Sequence, residues 1–559
     1  MRASLAVFVA IAIFVAASFA HPSVEVPIGR LTTFDALPRK GAVDPPQQVH
    51  IAYAGGNATA TPDHMMISWQ TLRRTSSNEV VLGTEPGQYT RRFYSNDSHS
   101  YFETWDHHVK IGPLRPNTRY YYACGSEQEG FSQEFSFVSA AGPEKTSFKF
   151  AVWGDLATGK AGNAEATFNF LRNNWNVTDF MWHVGDISYA NNDFLHDLFG
   201  FHYEEIWRQF MNDMQPMAST HAYMVLPGNH EAECHSPACF LNKTKLEMLR
   251  NYTAYNSRFR MPSAESGGVA NMWYSFNYAN AHFISFDSET DFKNAPGHDT
   301  GDSGLIPAGH FAPEGTQIAW LEKDLSIAAQ MRKNGVRPWI FMGGHRPIYK
   351  QSGEIVKAQQ DAIEDLMNKY GVDIFFTGHE HLYLRTWPVY RGSAEKTYNN
   401  PSKVVHLLVG GAGNEEMNVK TKVDFEGRPI IQEGEQPRKY TADYYDGSVI
   451  ERIDVASRIA TRLRNLVSTA PADKRPQYQE LHDRYVKKAQ KRLKEREENA
   501  RATRKAALGA PAADWIVTVD DNHYSAGVVE VHNNTHLTFK VYDTATGIVL
   551  DQIDLYKQH

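Results

Sequence analysis

Cysteine is nearly absent. The 559 residues contain three, Cys124, Cys234 and Cys239, too few for a fold held together by disulfides. An excess of one charge is missing too, since 57 Lys+Arg against 64 Asp+Glu leave a formal net charge of -7. A chain of this length with so small an imbalance carries no basic surface of the kind that follows nucleic acid or anionic lipid. Beyond residue 20 no continuous run of about 20 apolar residues occurs, so no later segment reads as a bilayer span. The remaining composition, 42% apolar and 22% charged, is that of a folded globular protein. A chain this long exceeds what one core usually serves, and two or three domains are expected.

The first twenty residues stand apart. Arg2 precedes an apolar run from Leu5 to Phe19, and Ser18 and Ala20 are small residues placed for cleavage before His21. Residues 1–20 read as a signal peptide, with a secreted protein or one delivered to a lysosomal or vacuolar lumen as the consequence. Sequons at Asn57, Asn96, Asn176, Asn242, Asn251 and Asn533 fit passage through a glycosylating compartment. There, Cys234 and Cys239 are close enough in sequence to pair and staple one loop, which leaves Cys124 as a buried thiol in a strand.

Residues 45–142 read as short strands broken by turns, among them 64–70, 78–82, 108–111, 119–124 and 131–138. Within them Leu114-Arg115-Pro116-Asn117-Thr118-Arg119-Tyr120 resembles the tyrosine-tied corner of a fibronectin III-like β-sandwich. From 146 to 428 strands alternate with amphipathic helices, as in an α/β domain. Helices are expected at 163–172, 201–214, 316–333 and 354–369. A charged helical insertion follows over 430–512, where Leu481, Tyr485, Ala489 and Leu493 recur at four-residue spacing among interleaved Lys, Arg and Glu, the pattern of a solvated helix face. Strands in 513–559 are expected to complete the α/β domain.

Five short segments each follow an apolar strand: Gly154-Asp155, Gly185-Asp186-Ile187-Ser188-Tyr189, Gly228-Asn229-His230-Glu231, Gly344-His345 and Gly378-His379-Glu380-His381. Ligands in α/β sheets collect beyond the carboxyl ends of strands, so one pocket can gather all five. Asp155, Asp186, Tyr189, Asn229, His345, His379 and His381 are enough donors for two ions sharing one carboxylate. Asp155, Asp186, Tyr189 and His381 form an oxygen-rich set, in which a phenolate suits a small, highly charged ion such as Fe3+. Asn229, His345 and His379, with Asp186 bridging, suit a divalent ion such as Zn2+, Mn2+ or Fe2+. Two such ions about 3.5–4 Å apart would clamp an attacking and a leaving oxygen.

These five segments, with Gly410-Gly411-Ala412-Gly413-Asn414, resemble the signature motifs of the purple acid phosphatases within the metallophosphoesterases. The resemblance implies hydrolysis of small-molecule phosphomonoesters in acid by a metal-bound or metal-bridging hydroxide at an Fe(III)–M(II) centre. His230, one residue beyond Asn229, is the candidate to protonate the leaving group, with a role in orienting a ligand equally open, and Asn229 and His230 are expected to contact substrate. Glu231 and Glu380 are expected to orient ligands rather than bind metal. Tyr189 sets the subfamily, because many metallophosphoesterases instead carry a histidine two residues after the first aspartate, where this chain has Ala157. Family members of the plant type have a further histidine pair beyond the fourth motif, but residues 346–355 contain none. Arg346 or Lys350 as a phosphate contact is an alternative there, a surface charge being the favoured reading of each. A phosphodiester or nucleotide polyphosphate substrate on the same site stays open, as does a homodimer. A non-catalytic binding glycoprotein is disfavoured because no ligand has been lost.

Overall fold

The computed structural model describes residues 23–32, 44–158, 164–191, 202–232, 249–297, 309–414 and 513–558, with Met417 and parts of 463–487. Residues 1–22, the Cys234–Cys239 pair, Asn242 and most of the 430–512 segment lie outside the described residues.

The N-terminal domain is a sandwich of two antiparallel sheets. One has the order Val24–Thr32, Gln88–Ser95, Asn78–Gly83, Arg119–Ser126, Phe135–Val138, and the other Gln47–Ala54, His64–Thr71, Thr104–Ile111, Ser98–Tyr101. Alternating inward residues, among them Val49, Ile51, Ile67, Trp69, Val80, Leu82, Phe93 and Val109, fill the space between them. The Arg115 N–H donates to the Tyr120 hydroxyl at 2.9 Å, which closes the expected corner. The domain starts earlier than 45, because Val24–Thr32 hydrogen-bonds along Gln88–Ser95 as an edge strand. Pro27 and Gly29 argue against a strand in the sequence. An edge position tolerates them, and the register shifts between Pro27 and Leu31.

The second domain packs two further sheets face to face. The first runs Ala222–Leu226, Phe180–Val184, Phe148–Trp153, Ser525–Val531, His536–Asp543, Val549–Tyr556. The second runs Tyr274–Tyr278, Ala281–Ser285, Trp339–Gly343, Ile374–Thr377, Val405–Val409, Tyr383–Thr386, Ile516–Asp520. Strands from residues 516–556 therefore join both sheets, and Ser525–Val531 pairs antiparallel with the central Phe148–Trp153. Aromatic rings interlock across the gap: Phe150 lies 5.2 Å from Phe283 and 5.5 Å from Phe341, and Trp182 lies 5.9 Å from Phe376. Each fully buried ring contributes about 2–3 kcal/mol, which holds the strand ends of the two sheets in fixed register.

Helices cover the sheets with one apolar stripe each. Tyr203–Ala218 buries Tyr203, Trp207, Phe210, Met211, Met214 and Met217. Thr316–Lys333 buries Trp320, Leu321, Leu325, Ala328 and Met331 at helical spacing. The former helix runs past the expected stop at Met214 and through Pro216, which sits in its last turn, where a proline interrupts least of the ladder. The expected 354–369 helix begins later, at Lys357, and includes a π-helical turn over Gln360–Glu364. Polar ties join the two domains: His108 to the Ser257 carbonyl at 2.8 Å, Arg260 to Asp97 at 3.1 Å, and the Tyr122 hydroxyl to the Ser219 carbonyl at 2.7 Å. Cys124 is buried and free, and burial pushes its thiol up to about 12, so it is inert packing.

Candidate metal centre

Each of the five segments leaves the carboxyl end of a strand: Phe148–Trp153, Phe180–Val184, Ala222–Leu226, Trp339–Gly343 and Ile374–Thr377. The backbone must then turn the donors back over the sheet ends. Asp155, Asp186, Tyr189 and His379 do so in the left-handed region, with φ of 63, 52, 54 and 70°. Four such non-glycine residues cost about 1–3 kcal/mol each, a strain that the packed sheets beneath must hold. The motif glycines follow from the same crowding. A Cβ on Gly228 would lie 2.2 Å from Asp186 Oδ1, and one on Gly378 would lie 2.3 Å from Asp155 Oδ2.

The donors form two groups that share a carboxylate. Ligand atoms of Asp155, Asp186 and His381 lie within 4.8 Å of one another, and so do those of Asp186, His345 and His379. Tyr189 belongs to the first group, its hydroxyl 3.0 Å from Asp155 Oδ1, 3.3 Å from Asp186 Oδ2 and 3.0 Å from His381 Nε2. Asn229 belongs to the second, its Oδ1 3.0 Å from His379 Nδ1. Seven residues separated by up to 226 positions thus meet in one pocket, with Asp155, Asp186 and His345 essentially sealed from solvent.

The donor set fits cations. The Val184 carbonyl can only accept, so His345 Nδ1–H donates to it at 3.0 Å. Nε2 then faces Asp186 Oδ2 at 2.9 Å, a contact between two electron-rich atoms unless a proton or a metal ion lies between them. Burial opposes a charged ring, yet Asp186 pushes His345 up to about 10. Burial likewise raises the Asp186 carboxyl, but His345 and His230 overcome it and hold it well below the ordinary carboxylate range. Within its oxygen-rich group Asp155 goes the other way, raised by burial.

A surrounding layer aims these ligands. Glu231 is not a ligand: it accepts the N–H groups of Asp186, Ile187 and Gly228 at 2.9, 2.8 and 2.8 Å and so pins the second segment to the third. Burial and the charge of Asp186 push Glu231 up to about 8. Asn414 donates through its backbone and its side chain to the Asp155 carbonyl at 3.2 and 3.0 Å. The His230 ring packs on Tyr189 with centroids 4.1 Å apart and planes tilted by 36°, and its Nδ1 lies 2.9 Å from Asn191 Oδ1. Its Nε2 lies 3.8 Å from Asp186 Oδ2.

Arg346 is held by protein groups. Its Nε donates to both Glu289 carboxylate oxygens at 2.9 and 2.8 Å, and its Nη1 donates to His379 Nε2 at 3.0 Å. The guanidinium thus lies at the edge of the donor cluster, against His379. Lys350 pairs with Glu354 at 3.4 Å, and Glu380 accepts the Gln351 N–H at 3.0 Å. Glu289 and Asn191 belong to no motif. Their one signal is position, Glu289 just beyond the strand Ala281–Ser285 and Asn191 two residues beyond Tyr189. Of the sequon asparagines, Asn57, Asn96, Asn176, Asn251 and Asn533 are exposed.

Comparison with known proteins adds three findings. Residues 46–139 match the family described as purple acid phosphatase, N-terminal domain, and residues 148–383 match calcineurin-like phosphoesterase. Acid phosphatase type 7 of Mus musculus is 32% identical over 399 residues, covering 66% of this chain and 79% of that one. Purple acid phosphatase 22 of Arabidopsis thaliana is 32% identical over 379 residues, covering 66% and 73%. Among solved structures, a purple acid phosphatase from Lupinus luteus seeds aligns over 92% of this chain and 75% of its own, with a TM-score of 0.59 at 17% identity, a likeness of fold.

Proposed function

The chain belongs to the purple acid phosphatases, hydrolases of phosphomonoesters at a dinuclear metal centre, and from that premise we propose how its residues divide the work. Asp155, Asp186, Tyr189 and His381 hold Fe3+, and Asn229, His345 and His379 hold a divalent ion, with Asp186 shared. The observation that carries this reading is the pair of overlapping donor groups, only one of which has a phenol. Bound ions there neutralise phosphate oxygens and make a nucleophile available in acid.

The chain's own groups position and protonate. His230 is suited to donate a proton to the departing alkoxide. Asn191 accepts at its Nδ1, which leaves Nε2 on the side of the shared carboxylate, and contact with the Tyr189 ring confines it. Asn229 and His230 contact the substrate. Glu231 and Asn414 hold the segments that carry Asp186 and Asp155, so that little reorganisation accompanies the reaction. The exposed sequons accord with a secreted or lumenal glycoprotein whose signal is residues 1–20 and whose Cys234–Cys239 loop is oxidised.

The purified protein is expected to hydrolyse aryl phosphates in mild acid and to absorb in the visible through tyrosinate-to-iron charge transfer. Tyr189→Phe is expected to bleach that band and weaken the preference for Fe3+. An unchanged spectrum in the variant would refute the phenolate assignment, and an inactive protein carrying both metals would refute the catalytic one.

A further inference from the structure

At the far end of the first catalytic-domain sheet, three strands bring a second set of metal donors together. His532 follows Ser525–Val531, His536 opens His536–Asp543, and Asp554 lies in Val549–Tyr556. One ligand atom from each lies within 4.8 Å of the others. His536 Nε2 is 2.9 Å from Asp554 Oδ1, and the rings of His532 and His536 are 4.5 Å apart and 33° from parallel. We propose that His532, His536 and Asp554 form a mononuclear site for a borderline divalent ion such as Zn2+, separate from the dinuclear centre.

Two imidazoles and one carboxylate, with a position open to solvent, are a donor set that zinc accepts. In a tetrahedral site the donor atoms sit about 3.3 Å apart, so side-chain rotation has to close roughly 1–1.5 Å at most. The backbone is already held. Asn533 Oδ1 accepts the Thr535 N–H at 2.8 Å, and the Asn533 carbonyl accepts Trp339 Nε1–H from the facing sheet at 2.9 Å. Tyr556 stacks on His536 at 4.4 Å and 10°, and the Thr538 hydroxyl donates to Asp554 at 2.6 Å, so a ring and the carboxylate are oriented before any ion arrives. Glu530 Oε1 pairs with Lys149 at 3.1 Å and lies 3.8 Å from His532 Nδ1, outside the three-donor group.

The site is independent of the phosphatase chemistry. Ser525 bonds to Gly411 beside the dinuclear centre, whereas Val531, at the other end of that strand, pairs with Phe148. The six residue steps from Ser525 to Val531 span about 20 Å. An ion here would staple three strands that follow the 430–512 segment in sequence, stabilising the folded chain by binding it and not the unfolded one.

The test uses the full-length protein with its dinuclear centre loaded and zinc as the probe. Calorimetric titration and metal analysis are expected to give one further equivalent of zinc, with a rise in melting temperature. His532→Gln/His536→Gln, and separately Asp554→Asn, are expected to lose that equivalent and that rise while keeping turnover. The same zinc count and the same shift in wild type and both variants would overturn the site. So would variants that lower the melting temperature equally with and without zinc, since that outcome assigns the cluster to hydrogen bonding alone.

Discussion

The sandwich and the metal centre both bury histidines, and they use them in opposite ways. His108 donates from Nε2 to the Ser257 carbonyl and is met at Nδ1 by the Ser68 hydroxyl, both at 2.8 Å. His107 is met by Asn78 and Thr71, both at 2.7 Å. Burial lowers His107 to about 4 and His108 well below its ordinary value, so both rings are neutral and supplied with partners. In the centre, His345, His379 and His381 point instead at a carboxylate, an amide oxygen and a phenol. Those partners are themselves donors to metal. A histidine matched by neutral partners belongs to the structure. Histidines converging on other electron-rich atoms mark a place for a cation.

The sharpest way to break this contrast is to change the carboxylate common to both donor groups. Asp186→Asn is expected to lose metal from both halves and to lower turnover by at least about a hundredfold to a thousandfold. His108→Gln is expected to keep metal content and turnover and to lower stability by about 1–2 kcal/mol. Metal analysis, aryl phosphate kinetics and thermal melts on the two variants decide it. Equal metal loss in both would dissolve the distinction.

Acid sharpens the comparison next. Burial lowers His50 and His107 to about 4 in the folded protein, whereas an unfolded histidine titrates near 6.5. Below pH 6.5 the unfolded chain binds more protons, so the stability these rings contribute is complete above 6.5 and drains away as pH falls toward 4. The loss is about 3 kcal/mol for each ring. Melting curves of the metal-loaded protein between pH 7 and 4 should show this slope, and His107→Gln should flatten part of it. An unchanged slope in the variant would remove His107 from the account.

The smallest effect concerns strain. Ala157 is buried with φ of 66°. Ala157→Gly is expected to raise stability by about 1 kcal/mol, because the left-handed conformation costs glycine nothing sterically. A drop in melting temperature would show that the alanine methyl packs better than the turn suffers.

Much of the site was legible in the chain because its donors are tethered to apolar strands and flanked by glycines that crowding demands. Asp155 after Phe148–Trp153 and His345 after Trp339–Gly343 needed only a strand and its end. The strand Val24–Thr32 was hidden by Pro27 and Gly29, residues that only an edge position excuses. The role of Arg346 was hidden because Glu289, its partner, lies 57 positions away and belongs to no pattern.

Local sequence thus determined which atoms could bind metal, that a phenol was among them, and that each sat at a strand end, since propensity and side-chain chemistry are properties of short segments. Tertiary structure decided which donors group together, that Arg346 is held between Glu289 and His379, and that His532, His536 and Asp554 converge at the sheet's far end. Those outcomes depend on the register of strands far apart in the chain, and a shift of one residue would turn every one of the side chains involved to the opposite face.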